Sequence, residues 1–350
     1  MKIAAFLPNW VGDVVMATPA LRALRHTFPD ARILGIARPY VAGVLEGSPL
    51  LDEQVLLSKR GAWRHRGPAI AWQLRREKID AAILFPNTFR AALVARLAGC
   101  RRRIGYRLYG RGFLLSDRLE PLRDERGWLK PAPAIDAFNR LVAVLGCPNP
   151  GYRMELATTA ADEKAADQVW ETSRLAAKNE VVCLNPGAAF GSAKYWDKER
   201  FVQVAREFVD RRGCGVLVLC GPKEQELARD IARDARRSGV HALSELSGSG
   251  LSLGLTKACI KRASLLVTTD SGPRHFAAAF DRPVVTLFGP THIAWTETYH
   301  PAAVHLQKKV DCGPCQLREC PLDHQCMKLL TVDDVFAAAV SLLSPERKAS

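Results

Sequence analysis

The stretch KIAAFLPNWVGDVVMATPALRAL (residues 2–24) joins a short apolar run to a helical pattern through a polar loop. The run at residues 2–7 predicts a buried strand, and the pattern after it predicts a helix that could instead begin at Thr18 and Pro19. A strand followed directly by a helix is the repeating unit of α/β proteins. In either case, Asp13 lies in the strand-to-helix turn.

The same alternation continues along the chain. Further buried strands are predicted at residues 32–37 and 81–85, and then at 181–184, 215–220, 265–269 and 284–288. Amphipathic helices are predicted at residues 201–212 and 223–238. Residues 147–153, which are rich in proline and glycine, resemble a linker, and the pattern restarts near Val181. The sequence therefore predicts an α/β protein with two similar halves that face each other across a cleft.

The composition limits the classes of partner. The 350 residues suffice for two domains, and no apolar run approaches the ~20 residues of a membrane span. The N-terminus has no complete export signal, so we expect a protein that is not secreted. A net charge of +14 favours nucleic acid, an anionic membrane face or a phosphorylated substrate. Residues 59–78 and 100–113 interleave arginines with aromatic side chains, although each segment could also be an ordinary solvated basic face.

Ligands of parallel α/β sheets bind beyond the carboxyl ends of the strands, where Asp13 is expected. An aspartate at this position could be functional, or it could simply cap the helix. The residues after the first predicted strand therefore do not by themselves choose between a site and a cap.

Two second-half segments place small and polar residues at strand ends. LNPGAAFGSAKYWDKERF (184–201) offers Gly187 and Lys194 to an anion, although a tight turn with a solvated lysine is the alternative. LCGPKEQELA (219–228) carries Glu224, which could bind ribose hydroxyls or cap a helix.

A third segment, VTTDSGPRHFAAAF (267–280), is the sharpest. Asp270, Ser271 and Gly272 follow a predicted strand and suit a sugar phosphate, while His275 could equally be a core histidine. LFGPT (287–291) repeats the arrangement on the next strand. Together these loops favour a nucleotide held by the second half, and the lack of G-x-G-x-x-G and G-x-S-x-G patterns disfavours a dehydrogenase and an α/β-hydrolase.

These motifs resemble a known family. N-W-V-G-D at 9–13, P-G-A-x-F-G-x-A-K-x-W at 186–196, D-S-G-x-x-H at 270–275 and F-G-P-T at 288–291 are similar to those of the ADP-heptose:lipopolysaccharide heptosyltransferases, glycosyltransferase family 9. FPNTFRAAL (85–93) and RRIGYR (102–107) are most similar to the heptosyltransferase II branch. The resemblance spans nearly the whole chain.

The resemblance implies a GT-B fold, two Rossmann-like domains facing across a cleft, and transfer of heptose with inversion from an ADP-heptose donor to the heptosylated inner core of lipopolysaccharide. It implies domains at residues 1–158 for the acceptor and 159–330 for the ADP-sugar, with a C-terminal helix at 331–350 packing back on the first domain. We expect no cofactor for catalysis, and a cytoplasmic location on the anionic inner face of the inner membrane without nucleic acid as a partner.

The resemblance also assigns residues to roles. Asp13 would be the general base, and Lys194 would balance charge on the departing diphosphate. The donor would contact Gly187, Ala188, Ala189, Lys194, Glu224 (ribose), Asp270 (heptose hydroxyls), Ser271, Gly272 and His275. The acceptor would contact Asn9, Trp10, Asn87, Arg90, Arg103, Tyr106 and Arg107.

General-base chemistry fits an aspartate at the start of a helix. A helix N-terminus favours the ionised form of a carboxylate, which can then accept a proton late in an oxocarbenium-like transition state. One departure from the family concerns Arg274, which stands where many relatives carry an apolar residue. Its guanidinium either adds charge near the diphosphate or points to water.

Four of the ten cysteines are clustered. DCGPCQLRECPLDHQC (311–326) spaces Cys312, Cys315, Cys320 and Cys326 as C-x2-C-x4-C-x5-C, with His324 close by. This spacing suits a structural zinc or an iron–sulfur site, and reduced thiols or disulfides are the alternative. The other six are scattered through apolar stretches, as expected in a reducing compartment.

Two other functions remain open at this point. Heptosyltransferase I, or a relative with another acceptor, is the nearest alternative, because acceptor contacts come from variable loops. A nucleic-acid-binding protein would explain the charge and the cysteines, but it would leave the second-half loops unexplained.

Overall fold

The computed structural model describes residues 1–58 and 62–343. It divides into two compact units, Met1–Leu156 with Ala294–Thr298, and Ala157–Ile293 with the chain from Tyr299 onward. The chain passes from the first unit to the second at Leu156, close to the predicted boundary at residue 158. Residues 59–61 of the first basic–aromatic segment and residues 344–350 of the predicted C-terminal helix lie outside the described residues.

The first unit is a six-stranded parallel sheet with helices. Its strands are β1 (Lys2–Phe6), β2 (Arg32–Ala37), β3 (Glu53–Leu56), β4 (Ala81–Leu84), β5 (Arg102–Tyr106) and β6 (Asp117–Leu119), in the order β3-β2-β1-β4-β5-β6. Its helices are α1 (Val11–Met16), α2 (Thr18–Thr27), α3 (Gly67–Glu77), α4 (Phe89–Leu97) and α5 (Ala134–Ala143). The central strands are almost wholly buried, which explains their continuous apolar runs.

The second unit repeats this plan. Its strands are β7 (Val181–Asn185), β8 (Gly215–Val218), β9 (Leu243–Glu245), β10 (Leu265–Thr269), β11 (Val284–Phe288) and β12 (Ala303–Gln307), in the order β12-β11-β10-β7-β8-β9. Its helices are α6 (Ala160–Thr172), α7 (Lys198–Arg212), α8 (Gln225–Arg237), α9 (Leu253–Arg262), α10 (Pro273–Ala279), α11 (Gln325–Lys328) and α12 (Val332–Leu343). The predicted α/β class is therefore confirmed.

Both sheets have the same doubly wound order, and it determines where a ligand can bind. The chain runs outward from β1 in one direction and from β4 in the other, and β7 and β10 are the corresponding pair in the second unit. Such a switch point leaves a crevice at the carboxyl ends of the two central strands. The loops after β1, β4, β7 and β10 carry most of the residues predicted to be functional.

The described part of the C-terminal helix packs on elements of the second unit. Helix α12 contacts α7 and strands β10–β12. The packing of residues 331–350 on the N-terminal domain stays a prediction. The ring of Phe336 lies 5.3 Å from that of Phe208, and the Arg211 guanidinium lies 4.8 Å from it. An apolar helix face buries itself on the nearest uncovered apolar surface, which here belongs to the sheet that precedes it in the chain.

No helix within residues 1–58 and 62–343 combines the length and apolar character needed to cross a membrane.

Candidate active site

The switch point of the second unit is held together by a buried amide. The Asn185 side chain at the end of β7 donates to Thr268 Oγ1 at 3.0 Å and to Ser271 Oγ at 2.9 Å. Thr269 Oγ1 donates to the Gly187 carbonyl at 2.6 Å, so the loops after β7 and β10 are joined twice. Asn185 was not identified from the sequence, although a polar residue at the end of a buried strand was the signal that could have revealed it.

A buried cluster of charges lies beside this junction. Lys194 Nζ donates to Asp270 Oδ2 at 2.5 Å and to the Asp270 carbonyl at 2.9 Å. Thr291 Oγ1 donates to the same carboxylate oxygen at 2.7 Å, and Arg274 Nη1 reaches Asp270 Oδ1 at 3.4 Å. Burial would raise the pKa of Asp270, but the charges of Lys194 and Arg274 outweigh it and lower the pKa to about 2.

Arg274 is part of this cluster and does not point to water. Its side chain is 2% exposed, and its guanidinium lies 4.9 Å from the centre of the Phe288 ring. Nη2 lies 3.2 Å from His305 Nε2, which must accept because an arginine only donates. The departure from the family pattern thus places a second cation against Asp270.

The predicted diphosphate contacts surround this cluster. His275 is buried, and among the described residues its Nδ1 has no hydrogen-bond partner. Burial and the nearby Arg274 charge lower the pKa of His275 well below its usual value, so the ring is neutral. Ser271 and Gly272 are half-buried at the start of α10.

Gly187 and Glu224 are also neighbours. A Cβ at Gly187 would lie 2.1 Å from the carboxyl carbon of Glu224, so only glycine allows this approach. The Glu224 carboxylate accepts from the Gly221 N–H at 2.8 Å, and its charge, after burial, contributes to raising the pKa of Tyr195. In the same loop, Ala188 is buried, whereas Ala189 is exposed.

In the first unit, Asp13 lies in the first turn of a helix and not at its N-cap position. It is the third residue of α1, and the N-cap position belongs to Trp10, which makes no capping hydrogen bond through its side chain. The Asp13 side chain is half-buried, and the Trp10 ring is exposed. Asp13 therefore does not occupy the N-cap position, which was the alternative that we weighed for it. Residues 11–16 and 18–27 form separate helices, so Thr18 and Pro19 begin the second.

A cavity of about 600 Å³ opens at the carboxyl ends of β1, β2 and β4. Asn9, Arg38, Tyr40 and Arg90 line it together with apolar side chains, and the Tyr40 hydroxyl donates to the Asn9 carbonyl. Burial and the charge of Arg38 both lower the pKa of Arg90. Arg38 and Tyr40 were not identified from the sequence.

Three predicted acceptor residues have internal roles. Asn87 Oδ1 accepts at 2.8 Å from Arg111, a wholly buried arginine whose pKa burial lowers to about 10. The Arg103 guanidinium donates to the carbonyls of Cys100 at 2.6 Å and Leu114 at 2.8 Å.

The third is Tyr106, which is buried and donates to the Ala137 carbonyl at 2.9 Å. The hydrogen bonds of these three side chains join segments of the first unit, and none of the three lines its 600 Å³ cavity.

Arg107 is placed differently. It is exposed, pairs with Glu120 at 3.4 Å, and lines a second, open cavity of about 500 Å³ with Arg118 and Arg123. The structure therefore brings Asn9, Trp10 and Arg90 to the loops after β1 and β4, and separates Arg107 from the 600 Å³ cavity.

The four clustered cysteines line one small cavity of about 20 Å³ with His324. All four are free thiols, and no three histidine, cysteine or carboxylate side chains of the described chain are arranged to hold a metal ion. Burial and the neighbouring cysteines raise the pKa of Cys326, which favours its protonated form. A structural zinc at these residues stays a prediction, to be tested by metal analysis of protein purified without an affinity tag.

Residues 68–325 match the family described as glycosyltransferase family 9 (heptosyltransferase). The chain is 27% identical to lipooligosaccharide heptosyltransferase 2 of Campylobacter jejuni, over 98% of both chains. It is also 27% identical to lipopolysaccharide heptosyltransferase 2 of Escherichia coli K12, over 83% of both.

The fold agrees with these sequence matches. The solved structure of E. coli ADP-heptose lps heptosyltransferase II aligns with a TM-score of 0.80 and 25% identity, over 98% of both chains. The resemblance and the GT-B class expected from the sequence are confirmed.

Proposed function

Because the chain belongs to glycosyltransferase family 9, the heptosyltransferases, we propose that it moves heptose from ADP-L-glycero-D-manno-heptose to the heptosylated inner core of lipopolysaccharide. The relatives described above are heptosyltransferases of lipopolysaccharide or lipooligosaccharide. The reaction inverts the anomeric carbon in a single displacement. The two switch points of the fold offer one site for each substrate.

The charge cluster of the second unit carries this proposal. Lys194 and Arg274 bring two positive charges to the single carboxylate of Asp270, all three side chains being at least nine-tenths buried. Lysine and arginine side chains are the usual protein ligands of phosphate groups, and the diphosphate of a sugar nucleotide is an anion that they can bind. The carboxylate of Asp270 can accept hydrogen bonds from hydroxyls of the heptose, and the carboxylate of Glu224 can accept them from the ribose.

Leaving-group departure is the step that this cluster serves. When the bond between the anomeric carbon and the phosphate oxygen breaks, negative charge grows on ADP. Lys194, fixed by its bonds to Asp270, stabilises that charge without having to reorganise, which is the usual source of large electrostatic rate effects. His275 is neutral and offers a ring nitrogen, not a charge, to the phosphate.

The first unit would bind the acceptor. Arg38 and Arg90 line the same cavity, and two guanidinium groups in one cavity suit an anionic group of the lipopolysaccharide core. Asp13 would remove the proton from the acceptor hydroxyl as its oxygen attacks the anomeric carbon. This step requires the carboxylate within about 3 Å of the attacking oxygen in the complex.

A peripheral membrane contact is the finer part of the proposal. Trp63, Trp72, Tyr109 and Phe113 are all exposed in the first unit, and the Arg76 guanidinium lies 3.6 Å above the Trp72 ring. Exposed aromatic rings among arginines suit an anionic lipid surface. The protein should sediment with phosphatidylglycerol vesicles at low salt. It should not sediment with phosphatidylcholine vesicles, and high salt should abolish its sedimentation with phosphatidylglycerol vesicles.

The experiment that tests the function is transfer from ADP-heptose to core acceptors that carry zero, one or two heptoses. We expect transfer only to the acceptor with one heptose. Transfer to the heptose-free core would instead identify heptosyltransferase I activity, and transfer to none of them would refute the proposal. ADP should raise the melting temperature, whereas stabilisation by oligonucleotides alone would favour a nucleic-acid-binding protein.

A further inference from the structure

The cysteine-bearing segment, residues 311–327, holds the backbone of the Lys194 loop. The Ala193 N–H donates to the Arg318 carbonyl at 3.0 Å, and His324 Nε2 donates to the Ala193 carbonyl at 2.7 Å. Both backbone polar groups of the residue before Lys194 are therefore bound by one segment that lies more than a hundred residues away in sequence.

The approach of the two chains is also sterically close. A Cβ at Gly191 would lie 2.2 Å from the Arg318 carbonyl oxygen, a backbone atom that has no freedom to swing away. The Phe190 ring lies between the two elements, with Lys194 Nζ at 4.7 Å and the Arg318 guanidinium at 5.5 Å from its centre. The ammonium group of Lys194 is thus fixed from the Asp270 side and from the Phe190 side.

The same segment reaches a second loop of the charge cluster. The Gln316 N–H donates to the Pro290 carbonyl at 2.8 Å, and the next residue, Thr291, donates to Asp270 at 2.7 Å. The cavity lined by the four cysteines is also lined by Ala193 and Pro290. Each of the two loops held by this segment therefore delivers one hydrogen-bond donor to Asp270.

We propose that residues 311–327 form a positioning element for the donor site, with His324 as a positioning residue that acts through Ala193 on Lys194. The inference rests on the proposed function, because it assigns Lys194 to the departing diphosphate. A displacement of about 1 Å in such a group costs on the order of a hundredfold in turnover. The element fixes where the charge of Lys194 lies and leaves the acceptor site of the first unit untouched.

The first test is Gly191→Ala, which separates the loop from Arg318 without changing any charged side chain. Gly191 has an extended backbone (φ 161°) that alanine also adopts, so the variant tests the close approach alone. We expect kcat to fall about a hundredfold with an unchanged KM for the acceptor. The matched control is Gly248→Ala, because a Cβ there meets nothing within 4 Å.

The second test replaces the hydrogen bond of His324. His324→Leu removes the donor to Ala193 and should lower kcat, whereas His324→Gln keeps an N–H donor and should recover most of the lost turnover. The φ angle of residue 324 is 61°, and leucine and glutamine both carry a Cβ, so the two variants impose the same backbone strain there. Equal losses in both variants, or full activity in His324→Leu and Gly191→Ala, would overturn the proposal.

A readout without substrate separates this inference from the proposed function. Lys194 is buried, so acetic anhydride should acylate it slowly in the wild-type protein and in Gly248→Ala. In Gly191→Ala and His324→Leu, mass spectrometry should find faster acylation at Lys194 while the far-ultraviolet circular dichroism is unchanged. Unchanged acylation overturns the positioning role, whereas a wild-type protein that transfers no heptose refutes the function and leaves this result standing.

Discussion

The two switch points are built on the same strand order but are filled in opposite ways. In the second unit, Asp270 lies within a closed set of hydrogen bonds from Lys194 and Thr291. In the first unit, Arg38 and Arg90 face an open cavity of about 600 Å³. The difference teaches that one topology can supply a preorganised site for a compact anion and an accessible site for a larger substrate.

The largest loss of turnover should come from Asp13, which follows the central strand β1 of the first unit. Asp13→Asn removes the proposed base while keeping nearly the same shape, and turnover should fall by about a hundredfold to ten-thousandfold. Calorimetric affinity for ADP should stay unchanged, since the second unit is intact. Asp30→Asn, in an exposed loop, is the control. Turnover of Asp13→Asn within about tenfold of wild type would make the assignment wrong.

The second prediction breaks the charge cluster of the other unit. Lys194→Gln leaves Asp270 with Arg274 and Thr291 but removes the cation proposed to stabilise the leaving diphosphate. We expect kcat to fall about a hundredfold, with little change in the acceptor KM. The control is Lys198→Gln, because Lys198 is a partly exposed lysine that pairs with Asp234. Steady-state kinetics of the two variants should be compared. An equal fall in both variants would argue against a specific role.

The third prediction concerns acid stability, which the two buried groups should affect in different pH ranges. Because the folded-state pKa of Asp270 is about 2, its stabilisation is present above pH ~4 and is lost as pH falls toward 2. The shift corresponds to stabilisation on the order of 2 kcal/mol. Urea unfolding from pH 7 to 2 should show this loss in the wild-type protein, and Asp270→Asn should flatten the curve below pH ~4.

His275 should affect the folding stability at higher pH than Asp270 does. Its folded-state pKa is depressed, so the unfolded chain takes up a proton first, and stability should fall as pH drops below about 6.5. His275→Gln should reduce this decline, to which His300 also contributes because burial lowers its pKa, and should leave the decline below pH ~4 in place. The assignment of the two groups fails if both variants change the same part of the pH profile.

The smallest effect is expected at the open cavity. Arg90→Gln should raise the acceptor KM about tenfold while leaving the ADP affinity unchanged, and added salt should narrow the difference from wild type. Initial rates at low and high salt measure this. The control is Arg101→Gln, which should behave as the wild type because the Arg101 side chain is 81% exposed. A raised KM for the donor in Arg90→Gln would show that the assignment of Arg90 to the acceptor is wrong.

The sequence by itself determined the buried strands, because short continuous apolar runs that alternate with helical patterns leave few alternatives. The seven predicted strands all exist, whereas β3, β5, β6, β9 and β12 were missed. The missed strands are short or carry charge, as in RRIGY of β5 and DRL of β6, since most lie toward the sheet edges and bury less surface. The motif residues were found because small and polar residues follow several strands of the second half, and because the motifs resemble those of a known family.

Only the tertiary structure decided which of those residues share a site. Arg274 could have pointed to water, but the fold buries it against Asp270 and His305. Tyr106 lies in a motif and yet serves the core, and the cysteine segment contacts Ala193 from far along the chain. A local pattern records which backbone shape a residue prefers, whereas desolvation and charge pairing depend on neighbours that only packing brings together.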